Sequence, residues 1–301
     1  MTFTAFFLIV FSAVLHASWN LVAKRSSMSL SFYTLIGVAA CTIWLHVQFW
    51  TPVNVLALPT MFYVFLFCSI CFDLCYCLGL VRAYRTMEMS TAYPMMRSLP
   101  ILLTAAVTSL SGWGEPLRPL AICGMAVVFL GCMMMPLQDF SHFKLKDYFN
   151  SKLFFIFLVA CGTTGYTVFD KLAQDIFCSA YPELSKPVLS LTFYSTRSIS
   201  LVTLLLIVVM IYPGELKNMK NILCRQKRMA LLAGLFASFT YTTVLLAMNY
   251  VSNVSYVQVF RQLGLIFGMA GGILILKERC SAPKLCGVSL ILSGLAMTVL
   301  K

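Results

Sequence analysis

Charge is the property that this chain has least of. Only 11% of its 301 residues are Asp, Glu, Lys or Arg, and the acidic residues number 10 against 22 basic ones. Because 60% of the residues are hydrophobic, one water-soluble core could not bury so much apolar surface, which excludes a soluble globular protein. The composition therefore predicts an integral membrane protein.

The basic excess does not indicate a nucleic-acid partner. A net charge of +12 would do so in a polar chain, but most Lys and Arg residues here fall at the ends of apolar segments or in loops. Those are the positions at which basic side chains anchor and orient membrane helices. We therefore expect a lipid bilayer as the partner of this surface, and no nucleic acid.

Motifs for catalysis and metal binding are also missing. The three histidines are scattered at positions 16, 46 and 142, and the chain contains no G-x-S-x-G, H-E-x-x-H or Walker loop. Cys68, Cys71 and Cys75 share a helix face, yet no histidine or second cysteine cluster would complete a tetrahedral zinc site. We interpret the cysteines as packing residues and expect no enzyme activity, no catalytic residues, no metal and no cofactor.

Long apolar segments are what the chain has in abundance. Crossing ~30 Å of hydrocarbon takes about 20 helical residues. Windows of that length occur ten times, which predicts an all-α integral membrane protein with ten transmembrane helices. The predicted spans are 2–23, 29–50, 60–83, 90–111, 119–137, 152–172, 188–212, 229–249, 254–276 and 282–300.

The two halves of the chain repeat each other. Shifting the first half by 164 residues places Arg97 on Arg261 and, after a one-residue deletion, Gly124 on Gly287 and Gly131 on Gly294. Each repeat therefore holds five helices, in residues 1–137 and 152–301, with a linker at 138–151. An odd number of helices inverts the second copy in the membrane, and inverted repeats of this kind place a ligand site near the midplane of many transporters.

Arg97 and Arg261 are the first candidates for substrate binding. Each lies inside an apolar segment, where a charge costs ~2.5 to 3.5 kcal/mol on insertion scales, so a functional role is the default hypothesis. Their guanidinium groups suit a carboxylate or phosphate-like anion. The alternative is that each only joins helices. Pro94 and Pro100 flank Arg97, so we expect helix breaks there; the second copy has no proline at these positions, so the two arginines need not be equivalent.

Several of these residues resemble the EamA family of the drug/metabolite transporter superfamily over the whole chain. The resemblance rests on His16-Ala17-Ser18-Trp19-Asn20, on Tyr93-Pro94-x-x-Arg97, on Tyr256 to Arg261, and on the Glu-containing turns that precede the Gly-rich last helix of each repeat. The His16, Tyr93 and Tyr256 runs also resemble a subgroup of the family that is associated with phosphonate use. The resemblance implies a ten-helix transporter of the bacterial plasma membrane. It leaves the solute open, since family members carry amino acids, metabolites, choline and drugs.

Other polar side chains complete the candidate cavity. His16, Trp19, Asn20 and Lys24 form one stripe of the first helix, and Tyr93 lies one turn before Arg97. They predict a cavity wall, although Lys24 is equally explained as an interfacial anchor.

Further charged residues lie inside the other spans. Asp73 is the one carboxylate near the middle of a span, and it is either a proton-coupling or gating group or a salt-bridge partner of an intramembrane cation. Arg197, one turn after Tyr194, is either a ligand contact or a link between helices. We expect Asp170 to neutralise its neighbour Lys171.

Basic residues also bear on orientation. Alternate loops carry most of them, and the opposite side has only Arg118, Lys171, Lys186 and Lys301. The positive-inside rule then places both termini outside the cytoplasm, whereas the family resemblance favours termini inside.

Together these observations predict a secondary transporter of a small polar, anionic solute, working by alternating access as a monomer or homodimer, with protons as a possible coupling ion. An exporter of amino acids or of cationic drugs is the alternative. Cationic drugs are disfavoured because the first helix lacks an acid. A membrane-embedded enzyme or a receptor built on the same scaffold is a weaker alternative.

Overall fold

The computed structural model of the chain describes residues 2–23, 29–87, 89–137, 139–140, 153–277 and 280–300. Within these ranges, the side chains at 19–23, 89–94 and 275–276 are outside the description. The described residues form helices joined by short turns, with no β-strand.

Thirteen α-helices account for nearly all of the described residues. They are α1 (Phe3–Ala23), α2 (Leu30–Trp44), α3 (Val47–Trp50), α4 (Thr60–Thr86), α5 (Met89–Ser111), α6 (Pro119–Met134), α7 (Leu153–Ala180), α8 (Lys186–Ile211), α9 (Glu215–Arg225), α10 (Lys227–Met248), α11 (Val254–Phe260), α12 (Leu263–Leu276) and α13 (Ala282–Val299).

These helices make the chain a multi-pass membrane protein. Seven helical segments in the described residues are long and apolar enough to cross a bilayer, and three shorter apolar helices lie at Phe3–Ser18, Met95–Ser111 and Pro119–Met134. Every one of the ten predicted spans coincides with a helix or with a helix broken by a turn. The all-helical, membrane-embedded prediction is thus confirmed, and the seven segments are Leu30–Trp50, Thr60–Thr86, Leu153–Ala180, Lys186–Ile211, Lys227–Met248, Val254–Leu274 and Ala282–Val299.

The outer surface has the apolar character that lipid requires. Phe3, Phe7 and Phe11 follow one another at four-residue intervals on α1, and they are 85%, 66% and 55% exposed. Side chains four apart lie on the same face of a helix. A stripe of exposed phenylalanines would be costly in water and is favourable against acyl chains.

The helix ends follow local sequence signals. Ser29 accepts a hydrogen bond from the Phe32 backbone N–H at 3.2 Å and begins α2, and Asn253 accepts one from the Ser255 N–H at 2.9 Å and begins α11. Both are N-cap residues that satisfy free N–H groups of a first helical turn. Proline occupies the first or second position of α6, α8 and α13, where the missing N–H of proline removes no hydrogen bond within the helix.

Three features differ from the sequence-based expectations. The spans predicted at 29–50 and 254–276 are each interrupted, at Leu45-His46 and at Arg261-Gln262. The span predicted at 152–172 continues to Ala180 as α7. Its polar last turns are helical because Lys171 pairs with Asp175 one turn later, which stabilises a helix that leaves the apolar region.

Helices from the two halves of the chain pack against each other. The most extensive contacts join α4 to α7, α6 to α13, and α1 to α10, while α5 lies on α7 and α1 also lies on α12. Glycine permits the closest of these crossings. A Cβ atom at Gly124 would lie 2.6 Å from the Gly294 carbonyl oxygen, and one at Gly287 would lie 2.8 Å from that of Gly131.

The short helix α9 lies outside the predicted spans and is fixed to the start of α2. The Ser31 backbone N–H donates to the Glu215 carboxylate at 3.0 Å, and the Ser31 hydroxyl donates to both the carboxylate and the Glu215 carbonyl. Burial alone would raise the pKa of Glu215. The hydrogen bonds from Ser31, with smaller contributions from Asn218 and Arg85, outweigh it and lower that pKa below its usual value.

Candidate functional site

The break between α11 and α12 shapes the polar centre of the protein. Arg261 and Gln262 form a turn in which Gly264 N–H donates to the Arg261 carbonyl at 3.1 Å and Leu265 N–H donates to the Gln262 carbonyl at 2.9 Å. These bonds span three residues instead of the four of an α-helix, so the turn is tight and locally 3₁₀ in character. Irregular backbone at such a depth occurs where it is enclosed by protein or lines a cavity.

The expectation of helix breaks at Pro94 and Pro100 is wrong. The helix α5 runs continuously through both prolines, and the interruption lies at Arg261, where the sequence has no proline. The reason lies in neighbouring helices. The Arg97 guanidinium on α5 donates a hydrogen bond to the Arg261 carbonyl oxygen at 3.1 Å, so a side chain from another helix supplies a partner for a backbone group of the turn.

His16, Arg97 and Arg261 lie together, and we call this group the paired-arginine site. Arg97 Nη1 is 3.1 Å from His16 Nε2, and Arg97 Nη2 is 3.1 Å from the Arg261 carbonyl oxygen. The Arg261 guanidinium has a long contact of 3.5 Å to Gln258 Oε1, and Tyr166 is a further hydrogen-bonding neighbour. Three positions that are far apart in the sequence thus lie close together in the structure.

The paired-arginine site retains unused donors. Arg97 Nε is buried without a hydrogen-bond partner in the described residues, and Arg261 is only 9% exposed. A guanidinium carries five N–H donors. Neither arginine forms an ion pair with a carboxylate anywhere in the described part of the chain. The site is therefore positively charged and has donors available in a protected environment.

Asp73, Asp170 and Arg197 form a second group, which we call the Arg197 cluster. Arg197 Nε lies 2.8 and 2.7 Å from the two carboxylate oxygens of Asp170, and Arg197 Nη2 lies 2.8 Å from Asp73 Oδ2. Asp170 also accepts hydrogen bonds from the hydroxyls of Ser69 and Tyr241. The cluster thereby joins α4, α7, α8 and α10.

The charges of the Arg197 cluster are paired with each other, and the cluster is buried. Asp170 is 0% exposed and Arg197 4% exposed. The guanidinium carbon of Arg197 also lies 4.8 Å from the ring centre of Tyr241 and 5.7 Å from that of Tyr166, which are cation–π distances. Of the alternatives stated for Asp73 and Arg197, this geometry matches an ion pair that links helices.

Tyrosine rings connect the two groups. Tyr76 contacts Tyr166 with ring centres 5.9 Å apart, Tyr166 contacts Tyr241 at 5.9 Å, and Tyr241 contacts Tyr194 at 6.4 Å. The first two pairs are edge-to-face, an arrangement that is favourable at such distances, and the third is tilted. Tyr194, predicted from the sequence as a binding residue, is buried beside the Arg197 cluster rather than beside the paired arginines.

The expected pairing of Asp170 with Lys171 is wrong. Lys171 pairs with Asp175, and Asp170 pairs with Arg197. Adjacent residues on a helix point in directions about 100° apart, so they do not face each other, whereas residues four apart do. The helical spacing of Lys171 and Asp175 was the signal in the sequence that could have corrected the expectation.

Three predicted site residues remain without a described side chain. Trp19 and Asn20 belong to the helix α1 and Tyr93 to α5, but their side chains lie outside the described part of the structure. Sequence reasoning missed Ser69, Tyr241 and Gln258, which contact the charged groups. None of these three side chains carries a charge, so no feature of the apolar segments marked them as site residues.

Comparisons with known proteins bear on the fold alone. No family model and no curated protein sequence matches the chain. A crystal structure of a protein with 13% sequence identity is similar over 98% of this chain and 95% of that chain, with a TM-score of 0.69. The overall helix arrangement therefore occurs in another protein, at an identity too low to carry a function across.

Proposed function

We propose that this protein is a secondary transporter that moves a small, anionic organic solute across a membrane by alternating access. The observation that carries the proposal is the charge balance of the polar centre. Among the described residues, the polar centre contains three buried or half-buried arginines and two aspartates, and both aspartates are bound to Arg197. Arg97 and Arg261 are left to attract an anion, and planar guanidinium donors suit carboxylate and phosphate-like groups.

The proposal includes ten membrane spans arranged as two inverted five-helix repeats. Helix packing supports it. In the alignment of the repeats, α1 corresponds to α7, α4 to α10 and α5 to α12. The contact of α1 with α10 therefore has its counterpart in the contact of α7 with α4, and the contact of α5 with α7 has its counterpart in the contact of α12 with α1. Alternating access would then be a rocking of one repeat against the other around a fixed site.

Glycine contacts give the inverted repeat independent support. The repeat alignment equates Gly124 with Gly287 and Gly131 with Gly294. Across α6 and α13, Gly124 touches Gly294 and Gly131 touches Gly287. The lower-numbered glycine of one helix meets the higher-numbered glycine of the other, so the helices run antiparallel and the contacts are related by a two-fold exchange.

Several features of the proposal are taken over from the sequence. The chain resembles EamA transporters, and we place it in a bacterial plasma membrane as a monomer or homodimer. Trp19, Asn20 and Tyr93 are proposed to line the cavity.

Asp73 is proposed to act as a gate, because its side chain is the more exposed acid of the Arg197 cluster and is held by a single guanidinium nitrogen. Export of a cation is less well supported, since neither acid is unpaired.

Solute binding and transport test the proposal directly. Purified protein would be screened by thermal shift against carboxylates, phosphonates, sugar phosphates, amino acids and choline compounds. Each hit would then be measured for counterflow of labelled solute in proteoliposomes, because only a transporter exchanges unmodified solute across a sealed bilayer. We expect anions among the hits.

Variants connect the binding to the paired arginines. Arg97→Ala and Arg261→Ala should each weaken binding of the anionic hit by about 10- to 150-fold, the equivalent of losing a charged hydrogen bond of ~1.5 to 3 kcal/mol. Arg118→Ala is the matched control, since Arg118 is an exposed residue before α6. Unchanged affinity in both site variants, or hits that are all cations, would refute the anion site.

A further inference from the structure

The helix α9 lies at the level where membrane-crossing helices end. It occupies Glu215–Arg225, between α8, which ends at Ile211, and α10, which begins at Lys227. Both α8 and α10 are among the segments that are long and apolar enough to cross a bilayer. The hydrogen bonds from Ser31 to Glu215 also hold α9 against the first turn of α2. The helix is therefore placed at the membrane surface, beside the ends of α2, α8 and α10.

Leucine and lysine alternate on the exposed side of α9. Leu216 and Leu223 are 41% and 46% exposed, and the exposed Lys220 lies one turn from each of them on the same face. Ile222 is buried among residues of α2 and α10, so the opposite side faces the protein. At a membrane surface, such leucines can enter the acyl layer while the lysine stem runs along it and keeps its charge at headgroup level.

The basic charge around α9 has no acid to neutralise it in the described part of the chain. Residues 212–230 contain five basic side chains and one acid, Glu215. Glu215 is 7% exposed and is bound to Ser31, with Arg85 3.7 Å away. The five basic side chains are exposed and form no ion pair within the described residues, and we call them the α9 basic surface: Lys217, Lys220, Arg225, Lys227 and Arg228.

The start of α10 adds to this positive potential. Lys227 and Arg228 lie in the first turn of α10, which contains no acidic residue. The amino-terminal end of a helix carries a partial positive charge of its own, so basic side chains are unfavourable there. An anion bound at the α9 basic surface would relieve this repulsion.

We propose that the α9 basic surface binds the phosphate headgroup of an anionic phospholipid, with Leu216 and Leu223 against its acyl chains. Lys and Arg near a membrane surface are attracted to anionic lipid. The exposed leucines favour a lipid over a soluble phosphate, because a soluble anion would use the basic side chains alone and leave the apolar area uncovered. The inference is independent of the transported solute, since the α9 basic surface shares no residue with the paired-arginine site.

The test is a competition between two phospholipids for the purified protein in a neutral detergent. Phosphatidylglycerol carries a net negative charge and phosphatidylcholine carries none, and both are used with identical acyl chains. Native mass spectrometry counts the molecules of each lipid that stay bound. We expect phosphatidylglycerol to be retained in preference, and the preference to weaken as the salt concentration rises, because exposed charges are screened.

Substitutions assign that preference to α9. Lys217→Gln combined with Lys220→Gln should lower the affinity for phosphatidylglycerol by about 5- to 30-fold, since each basic residue near a membrane surface contributes about fivefold. Lys217→Arg combined with Lys220→Arg keeps both charges and should keep the preference. Arg118→Gln is the matched control, because it removes an exposed basic residue outside the α9 basic surface, and it should also keep the preference.

Glycerol phosphate, which is a soluble headgroup without acyl chains, distinguishes a lipid site from a phosphate site. It should displace phosphatidylglycerol poorly, and displacement at equal concentration would overturn the inference by showing that the surface selects a soluble anion. Equal retention of the two lipids by the unaltered protein would also overturn it, as would a preference that persists in the variant with Lys217→Gln and Lys220→Gln. Solute binding is measured separately, so these outcomes and the failure of the proposed function are distinguishable.

Discussion

Arg197 and Arg97 are the same residue type, and both lie inside apolar helices of one protein, but they differ in what surrounds them. Arg197 donates to two carboxylates, and Ser69 and Tyr241 complete the bonding of one of those carboxylates. Arg97 donates to an imidazole and a backbone carbonyl, and its Nε has no partner in the part of the chain that the structure describes. The comparison teaches that an intramembrane arginine indicates function only after its counter-charges have been counted.

The largest difference should appear in stability. Arg197→Gln leaves two buried carboxylates without their cation, and breaking such a pair costs ~3 to 5 kcal/mol. Arg97→Gln removes a charge that has no carboxylate partner among the described residues, so it should cost ~1 kcal/mol or less. Thermal unfolding in detergent, followed by size-exclusion chromatography, compares the two variants. The triple change Arg197→Gln, Asp73→Asn and Asp170→Asn should recover much of the loss, because no buried charge then remains unpaired.

The comparison between the two arginines would be wrong if Arg97→Gln proved the more damaging change. That result would mean that the paired-arginine site holds the helices together and that its positive charge is balanced by groups outside the described residues.

A smaller effect is expected from filling the space beside the paired-arginine site. A Cβ atom at Gly264 would lie 3.6 Å from Arg97 Nη2 and 3.8 Å from His16 Cδ2. Gly264→Val extends a branched side chain towards both groups, and such overpacking typically costs ~1 to 3 kcal/mol, so anion binding should weaken by about 5- to 100-fold.

Gly268→Val is the matched control for that measurement. Gly268 lies one turn further along α12, and a Cβ atom there would meet no atom within 4 Å. Equal affinities of the two variants for the anionic hit, in an equilibrium binding assay, would show that the solute does not approach the arginines from the Gly264 side.

The smallest effect concerns an acid outside the membrane-spanning helices. The pKa of Glu215 lies below its usual value, so the folded protein binds this proton less tightly than the unfolded chain does. Its contribution to stability is complete above the unfolded carboxyl pKa of about 4.3 and is lost as the pH falls through the lower folded value. Glu215→Gln should therefore lower stability by ~1 kcal/mol or less at neutral pH and remove part of the acid-induced loss.

Glu183→Gln serves as the reference for the Glu215 change, since Glu183 is an exposed glutamate in the turn before α8. Melting temperatures of the three proteins between about pH 7 and 3 give the comparison. A parallel shift of Glu215→Gln and Glu183→Gln would show that the contact with Ser31 contributes nothing to the pH dependence.

Sequence reasoning succeeded where local physics decides the outcome. Twenty apolar residues in a row form a membrane helix regardless of their neighbours, because every backbone polar group must be satisfied within the segment. The helices consequently lie at all ten predicted positions. It failed at the interruptions, since the break at Arg261 depends on a donor from α5 and the continuity of α5 through Pro94 and Pro100 depends on its packing.

What the sequence alone determined is the membrane class, the placement of the helices and the presence of two arginines inside apolar segments. What only the tertiary structure decided is the charge balance of each arginine. Asp73 lies 124 residues from Arg197 and Asp170 lies 27 residues from it, yet both bind it. Ion pairing inside a membrane is set by which helices pack together, because a buried charge gains its energy from the groups within a few ångströms.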